Sequence, residues 1–398
     1  MADKERYIVT GGAGFIGSNY VRMLAGRPDA PEISVVDALT YAGNLENIAP
    51  QIESGAVRFV HADICDKEAM LGLMREFRPT IIVHFAAESH VDRSIDGPTP
   101  FVITNVLGTQ TLLECARLVR DGERAEGLEP SLRRFVQVST DEVYGHLPVD
   151  FPEGRPLADT LPAFADRPAS ADVTYGKDCF TERTPLDPTS PYSASKASAD
   201  LFAQAYARTF GLPVVITRCS NNYGPRQFPE KLIPLMINNI LEGKPLPVYG
   251  RGLNVRDWLH VDDHCRAIDA VIARGKPGEV YNIGGLNERR NIDIVRAIIA
   301  IVRELVASEP RYRALSRLAP GEIDESLISY VADRPAHDSR YAIDPSRLLE
   351  ATGWAPEINI SCGGLRETVR WYLDNRAWVE KIVNGDYRDY YRKMYANR

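Results

Sequence analysis

The chain has no long hydrophobic run, no paired cysteine motif and no excess of positive charge. Its longest apolar stretches, such as residues 298–302, fall far short of the ~20 residues that cross a bilayer, so no membrane partner is expected. The six cysteines are scattered, with no C-x-x-C pair, which reads as free thiols in a reducing, cytoplasmic setting. Lys and Arg total 47 against 54 Asp and Glu, for a formal net charge of -7. That balance argues against a nucleic-acid surface. An anionic ligand must therefore be held by local Arg, Lys and backbone N–H groups. The first residues run straight into a strand, so no signal peptide is expected. Internal repeats and low-complexity tracts are also missing. What is present is an ordinary globular composition, 44% hydrophobic and 25% charged over 398 residues. That length suggests two domains, or one with a sizeable lobe.

Short apolar runs alternate with helical patterns along the first half. Strands are expected near 6–10, 33–37, 57–60, 80–83, 134–138 and 214–217. Helices are expected from 15 to about 26, from Asp66, over about 100–119 and from Ser190 to about 210, with a charged surface connection at 120–130. The alternation predicts an α/β fold, a doubly wound parallel sheet of Rossmann type. After Asn222 the order changes, which predicts a smaller C-terminal substrate-binding lobe. The expected division is 1–220 for a dinucleotide domain, with 255–283 returning to it, and 221–254 with 284–398 for the lobe. Residues 146–188 are proline-rich and lack periodicity, as a lid or surface excursion would.

The stretch that organises the rest is Ser139-Thr-Asp-Glu-Val-Tyr144, at the end of an apolar strand. In open α/β sheets ligands sit at such strand ends. Asp141 and Glu142 are either a solvated pair or a split acid and base whose environments push their pKa values apart. Gly12-x-Gly14-x-x-Gly17 follows a strand and opens a helix, the context a dinucleotide fingerprint requires. Asp37 ends the second strand about 20 residues further on, where an acid takes the ribose 2′-hydroxyl and repels a 2′-phosphate, favouring NAD. Tyr192 and Lys196 lie one helical turn apart on one face. Either they belong to a solvated helix, or the ammonium and the positive end of a nicotinamide ring together lower the phenol's pKa and make Tyr192 a base near neutral pH. His84 and His90 invite a metal reading, but no third ligand follows at suitable spacing, so no metal is expected. The arginines around 256 and 334 suit a diphosphate, or make surface ion pairs.

Several longer motifs accompany these residues: Thr10-Gly-Gly-Ala-Gly-Phe-Ile-Gly17, Asp37-Ala-Leu-Thr-Tyr-Ala-Gly-Asn-Leu-Glu46, Ala86-Ala-Glu-Ser-His-Val-Asp-Arg-Ser94, Tyr192-Ser-Ala-Ser-Lys196, Asn221-Asn-Tyr-Gly-Pro225 and Asp333-Arg-Pro-Ala-His-Asp338. Together they resemble the extended short-chain dehydrogenase/reductase family, and within it the sugar-nucleotide 4,6-dehydratases, over nearly the whole chain. The Thr-Asp-Glu triplet marks that branch. The resemblance implies an NAD-dependent hydro-lyase acting on a nucleotide sugar, dTDP-glucose in this branch, and a homodimer. It assigns catalysis to Thr140, Asp141, Glu142, Tyr192 and Lys196. Cofactor contacts fall to Gly11, Gly14, Phe15, Ile16, Gly17, Asp37, Thr40, Asp63, Ile64, Ala87, Thr104, Tyr192, Lys196 and Asn222. Substrate contacts fall to Ser89, Thr140, Asn221, Lys231, Leu232, Pro247, Tyr249, Arg256, Asn291 and His337. Two other readings stay open: a dehydratase or 4-epimerase for another nucleotide sugar, and a non-catalytic NAD-binding sensor or scaffold.

Overall fold

The computed structural model describes residues 4–149 and 178–383. Residues 150–177, most of the expected lid or excursion, lie outside the described residues, as do 384–398 of the expected lobe. The strands in chain order are β1 (Arg6–Thr10), β2 (Glu32–Asp37), β3 (Val57–His61), β4 (Ile81–His84), β5 (Arg134–Thr140), β6 (Val214–Cys219), β7 (Asn221–Tyr223), β8 (Leu246–Tyr249), β9 (Val255–His260), β10 (Val280–Ile283), β11 (Glu288–Arg290) and β12 (Ile328–Val331).

Seven of them form one sheet in the order β10-β6-β5-β4-β1-β2-β3. Every pairing in it is parallel. A parallel sheet needs both faces covered, and its strands are apolar on both sides. Val9, Val35, Val83, Val136 and Val215 pack on one face with the helices Phe15–Ala25 and Val261–Arg274. Ile8, Val36, Ile82, Phe135 and Val214 pack on the other, with Lys67–Phe77, Thr109–Ala125 and Pro191–Phe210. The chain winds outward from β1 to β3, then returns to β4 on the other side of β1. The crevice at the ends of β1 and β4 is therefore the topological switch point.

β10 is the seventh strand of this sheet, whereas β9 pairs with β7 and β11 in a separate three-stranded sheet. A second core, built on Ile237, Ile240, Val295, Ile298, Val302 and Tyr372, fills the C-terminal part. β7, β11 and β12 are three or four residues each, too short for alternation to announce them. Among the described residues no helix is long and apolar enough to cross a membrane.

One boundary differs from expectation. The surface connection expected at 120–130 is helical as far as Ala125. Arg117 sustains that last stretch by pairing with Glu114 and Asp121, three and four residues away. The same helix is entered through a π-helical segment, Val102–Gly108, a form that recurs at functional sites.

Candidate active site

All residues expected to contact a cofactor line one cavity at the switch point, together with Thr140, Asp141, Glu142, Ser89, Asn221 and Lys231. The glycine loop gives this cavity its floor. Gly11 has φ +69°, and a Cβ there would stand 2.6 Å from the Ala86 backbone nitrogen. A Cβ on Gly17 would stand 2.2 Å from the Gly11 carbonyl oxygen. Gly14 is the N-cap of the helix Phe15–Ala25 and offers no side chain to its first turn. The first-turn amides lack intrahelical acceptors, so they can serve an external anion such as a diphosphate. Asp37 accepts the Ala13 amide at 3.0 Å and the Leu39 amide at 2.8 Å, which aims its carboxylate at the cavity. Burial raises its pKa, and the two amides oppose that rise. An anion cradle beside a fixed acid fits NAD.

The helix Pro191–Phe210 carries the next layer. Ser190 and Ser193 cap it reciprocally, and Pro191 begins it. Ser195 donates to the Tyr192 carbonyl at 2.7 Å and receives the Asn105 amide at 2.8 Å, which ties the π segment to this helix. Lys196 Nζ donates to the Val138 carbonyl at 2.7 Å. Burial pushes the Tyr192 phenol well above its ordinary value, with Glu142 and Cys219 adding to the rise and a Thr140 hydrogen bond opposing it. The Lys196 ammonium is directed at β5, and the phenol lies beside Glu142.

Asp141 and Glu142 occupy a short turn, Asp141–Tyr144, directly after β5. Asp141 is buried, and its Oδ2 has no hydrogen-bond partner. Burial raises its pKa well above the carboxylate range, and neighbouring Glu142 and Asp257 raise it further, with Arg256 opposing. Burial also raises Glu142, but Arg334, Arg256 and Lys231 all pull it back. Adjacent carboxyls in different fields can divide acid and base roles.

The other expected substrate residues, Leu232, Pro247, Tyr249, Arg256, Asn291 and His337, do not line this cavity. Arg256 lies in β9, and the others fall in segments expected to form the lobe. Tyr249 donates to Asp92 at 2.8 Å, and Arg334 donates to the same carboxylate at 3.1 Å. Arg256 donates to the Asp338 carbonyl at 2.9 Å and stacks 4.2 Å from the Tyr341 ring. His337 pairs with Asp333 at 2.5 Å. Leu232 opens the helix to Glu242, Pro247 sits in β8, and Asn291 opens the helix to Ser308. Lys231 reaches back to the Ser89 carbonyl at 3.2 Å and so bridges lobe and sheet.

Sequence reasoning did not single out Tyr41, Glu88, Gln227, Phe228 or Glu230 as cavity residues. The Tyr41 ring lies 3.9 Å from the Arg93 guanidinium and meets Phe228 edge-on at 5.6 Å. Tyr41, like Asp92 and Arg334, falls inside a motif quoted above, and that motif was its available signal. Glu230 lies in none. His84 joins hydroxyls, Thr10 at 2.7 Å and Thr109 at 2.9 Å, while His90 lies 3.9 Å from Glu230.

Known proteins resemble this chain throughout. A dTDP-glucose 4,6-dehydratase of Escherichia coli K12 is 46% identical over 396 residues, covering 99% of each chain. One from Shigella flexneri is 46% identical over 393 residues, again covering 99% of each. The crystal structure of the Streptomyces venezuelae dTDP-glucose 4,6-dehydratase, with NAD and dTDP bound, matches with TM-score 0.77 at 45% identity, covering 95% of this chain and 99% of that one. A Thermotoga maritima UDP-glucose 4-epimerase with UDP-glucose matches with TM-score 0.73 at 26% identity, covering 93% and 99%. The model of the NAD dependent epimerase/dehydratase family matches residues 7–284, and with these relatives it shows that the chain belongs to that family.

Proposed function

We propose that the chain is a dTDP-glucose 4,6-dehydratase, converting dTDP-glucose to dTDP-4-keto-6-deoxyglucose and water with resident NAD. The observation that carries this reading is the acid pair at the end of β5. Burial and two neighbouring acids push the Asp141 pKa well up, while three cations oppose the rise that burial gives Glu142. A 4-epimerase has no need of a split acid and base here. The relatives' names support the choice of substrate.

NAD, held by the glycine loop and Asp37, would supply the two-electron chemistry at C4 and C6 and would bring a positive ring to the cavity. Tyr192, hydrogen-bonded by Thr140, takes the O4 proton. The C4 ketone acidifies the C5 proton, and Glu142 removes it. Asp141 gives its proton to the departing C6 hydroxyl, which leaves as water. Lys231, Arg256 and Arg334 gather positive charge on the lobe side of Glu142, where a diphosphate finds guanidinium forks.

We propose the division 1–220 with 255–283 for NAD, and 221–254 with 284–398 for the sugar nucleotide, although β9 joins the separate sheet. β10's place in the main sheet supports it. The protein acts as a cytoplasmic homodimer. Val102 (56% exposed), Leu107 (50%) and Leu201 (57%) on neighbouring helices offer the apolar face for a second copy. Sedimentation as a monomer at micromolar concentration would remove the dimer from the proposal.

The test of function is product identity. Incubation with dTDP-glucose in D2O should give a product lighter by one water, carrying one solvent deuterium at C5, without stoichiometric NAD. An isomer of unchanged mass would instead identify an epimerase.

A further inference from the structure

Behind the reacting face, under the helix Pro191–Phe210, lies an ion pair that no step of the reaction touches. Arg218 of β6 is 2% exposed and Asp200 of the helix is 0% exposed. Arg218 Nε donates to Asp200 Oδ2 at 2.9 Å, and its Nη1 donates to the Tyr144 hydroxyl at 3.0 Å. The guanidinium also lies 4.8 Å from the centre of the Tyr144 ring. Tyr144 in turn donates to Asn282 Oδ1 at 2.8 Å, and the Asn282 amide donates to the Phe180 carbonyl at 3.1 Å.

A buried charge pair is weak as a source of stability, because desolvation offsets much of its attraction; apolar residues of similar volume often do as well. What this pair connects is more informative. Asp200 sits one helical turn beyond Lys196, on the same buried face. Tyr144 closes the turn that carries Asp141 and Glu142. Arg218 therefore stands between two half-sites that are far apart in sequence. One is the helix with Tyr192 and Lys196. The other is the turn with the acid pair.

We propose that Asp200 and Arg218 are positioning residues for the dehydration. Asp200 keeps Lys196 an ammonium, and Arg218, through Tyr144, fixes the acid pair relative to Tyr192. This rests on the function proposed above. The surroundings of Lys196 support the charge argument. Burial lowers its pKa, and the first charge opposing that is Asp200 on its own helix, while burial pushes the Cys219 thiol on β6 up and leaves it neutral. His84, on β4, is buried and neutral, its pKa pushed down to about 3. On β5 the ammonium meets only a carbonyl, that of Val138.

Three variants test the idea, with rates normalised to folded protein by circular dichroism. Asp200→Asn keeps the shape and removes the charge. Its kcat should fall on the order of 100-fold, the cost of small misplacement at a reacting centre. Its KM should stay within about twofold, since no substrate contact is removed. The alkaline limb of its pH–rate profile should move to lower pH, because Lys196 then loses its proton earlier. Arg218→Lys keeps charge against Asp200 but drops the fork to Tyr144, so kcat should fall with the alkaline limb in place. Tyr144→Phe should lower kcat about tenfold, again with the limb in place. An unmoved limb in Asp200→Asn overturns the charge role. Losses in Arg218→Lys and Tyr144→Phe that merely track the folded fraction overturn the positioning role. If Asp200→Asn does not fold, those two still decide the positioning role, and Asp200→Ser, which also removes the charge, decides the charge role: its alkaline limb should move to lower pH, and an unmoved limb overturns it. A wild-type enzyme that makes no 4-keto product fails a different statement, the function itself.

Discussion

The two sides of the cavity meet the cost of burying polar groups in different ways. Apart from Asp37 and Lys196, the nucleotide side uses backbone and neutral side chains. Gly11 and Gly17 let chain approach chain, His84 bridges two threonine hydroxyls, and Asn105 holds Ser195 and the Glu88 amide. The substrate side uses full charges. Arg334 meets Asp92, Arg93 meets Glu230 at 3.1 Å, and Lys231, Arg256 and Arg334 surround Glu142. A resident cofactor suits the first arrangement, which is fixed by chain geometry. An exchanging dianion suits the second, where partners can be traded and where local cations offset the net charge of -7.

The sharpest break falls where the two sides meet. Tyr192→Phe should lower turnover by about 10³-fold or more, within the range of a lost general base. NAD affinity, read by calorimetry, should hold, because the glycine cradle is untouched. Near-normal turnover would remove Tyr192 from the chemistry.

The acid pair gives the next effect, on the order of 10²–10³ in kcat for each member. The two should fail differently. In D2O, Glu142→Gln should leave recovered substrate unlabelled at C5. Asp141→Asn should still exchange C5, since its defect comes after proton removal. Identical labelling in both variants would dissolve the division between them.

On the charged side, Arg334→Met should raise KM about 10- to 100-fold, the value of one or two charge-assisted hydrogen bonds. The wild-type KM should climb with ionic strength. Loss of NAD affinity by the same variant would mean that Arg334 serves the nucleotide side, and the contrast drawn above would fail.

This contrast also explains what could be read in the sequence. The nucleotide side is made of local patterns. A strand, three spaced glycines and an acid ending the next strand sit within residues 6–37, and Gly14, Gly17 and Asp37 line the cavity. Tyr192 and Lys196 share a face because helical periodicity requires it. The substrate side is assembled from segments joined only by topology. Asp92 meets Tyr249 and Arg334 across sequence separations of 157 and 242, which no window could reveal. Spacing places Lys196 on the right face but does not show that its ammonium turns to Val138.

The smallest effect tests the neutral side. His84 is pushed from 6.5 down to about 3 by burial, with Lys196 adding to the drop. His264, bonded to Asn222 at 2.9 Å, is pushed equally far by burial. A histidine depressed in the folded state stays neutral there while the unfolded chain takes up a proton below 6.5. Its contribution to stability is therefore complete above that pH and drains away as pH falls toward 3. Each such histidine steepens the loss by about 1.4 kcal/mol per pH unit within that window. Urea unfolding of His84→Asn between pH 6 and 5, above the range where most carboxylates titrate, should show a slope shallower by up to that amount, whatever its stability at pH 7. An unchanged slope would mean that His84 takes up its proton in the folded protein, and that the nucleotide side is not held by neutral groups.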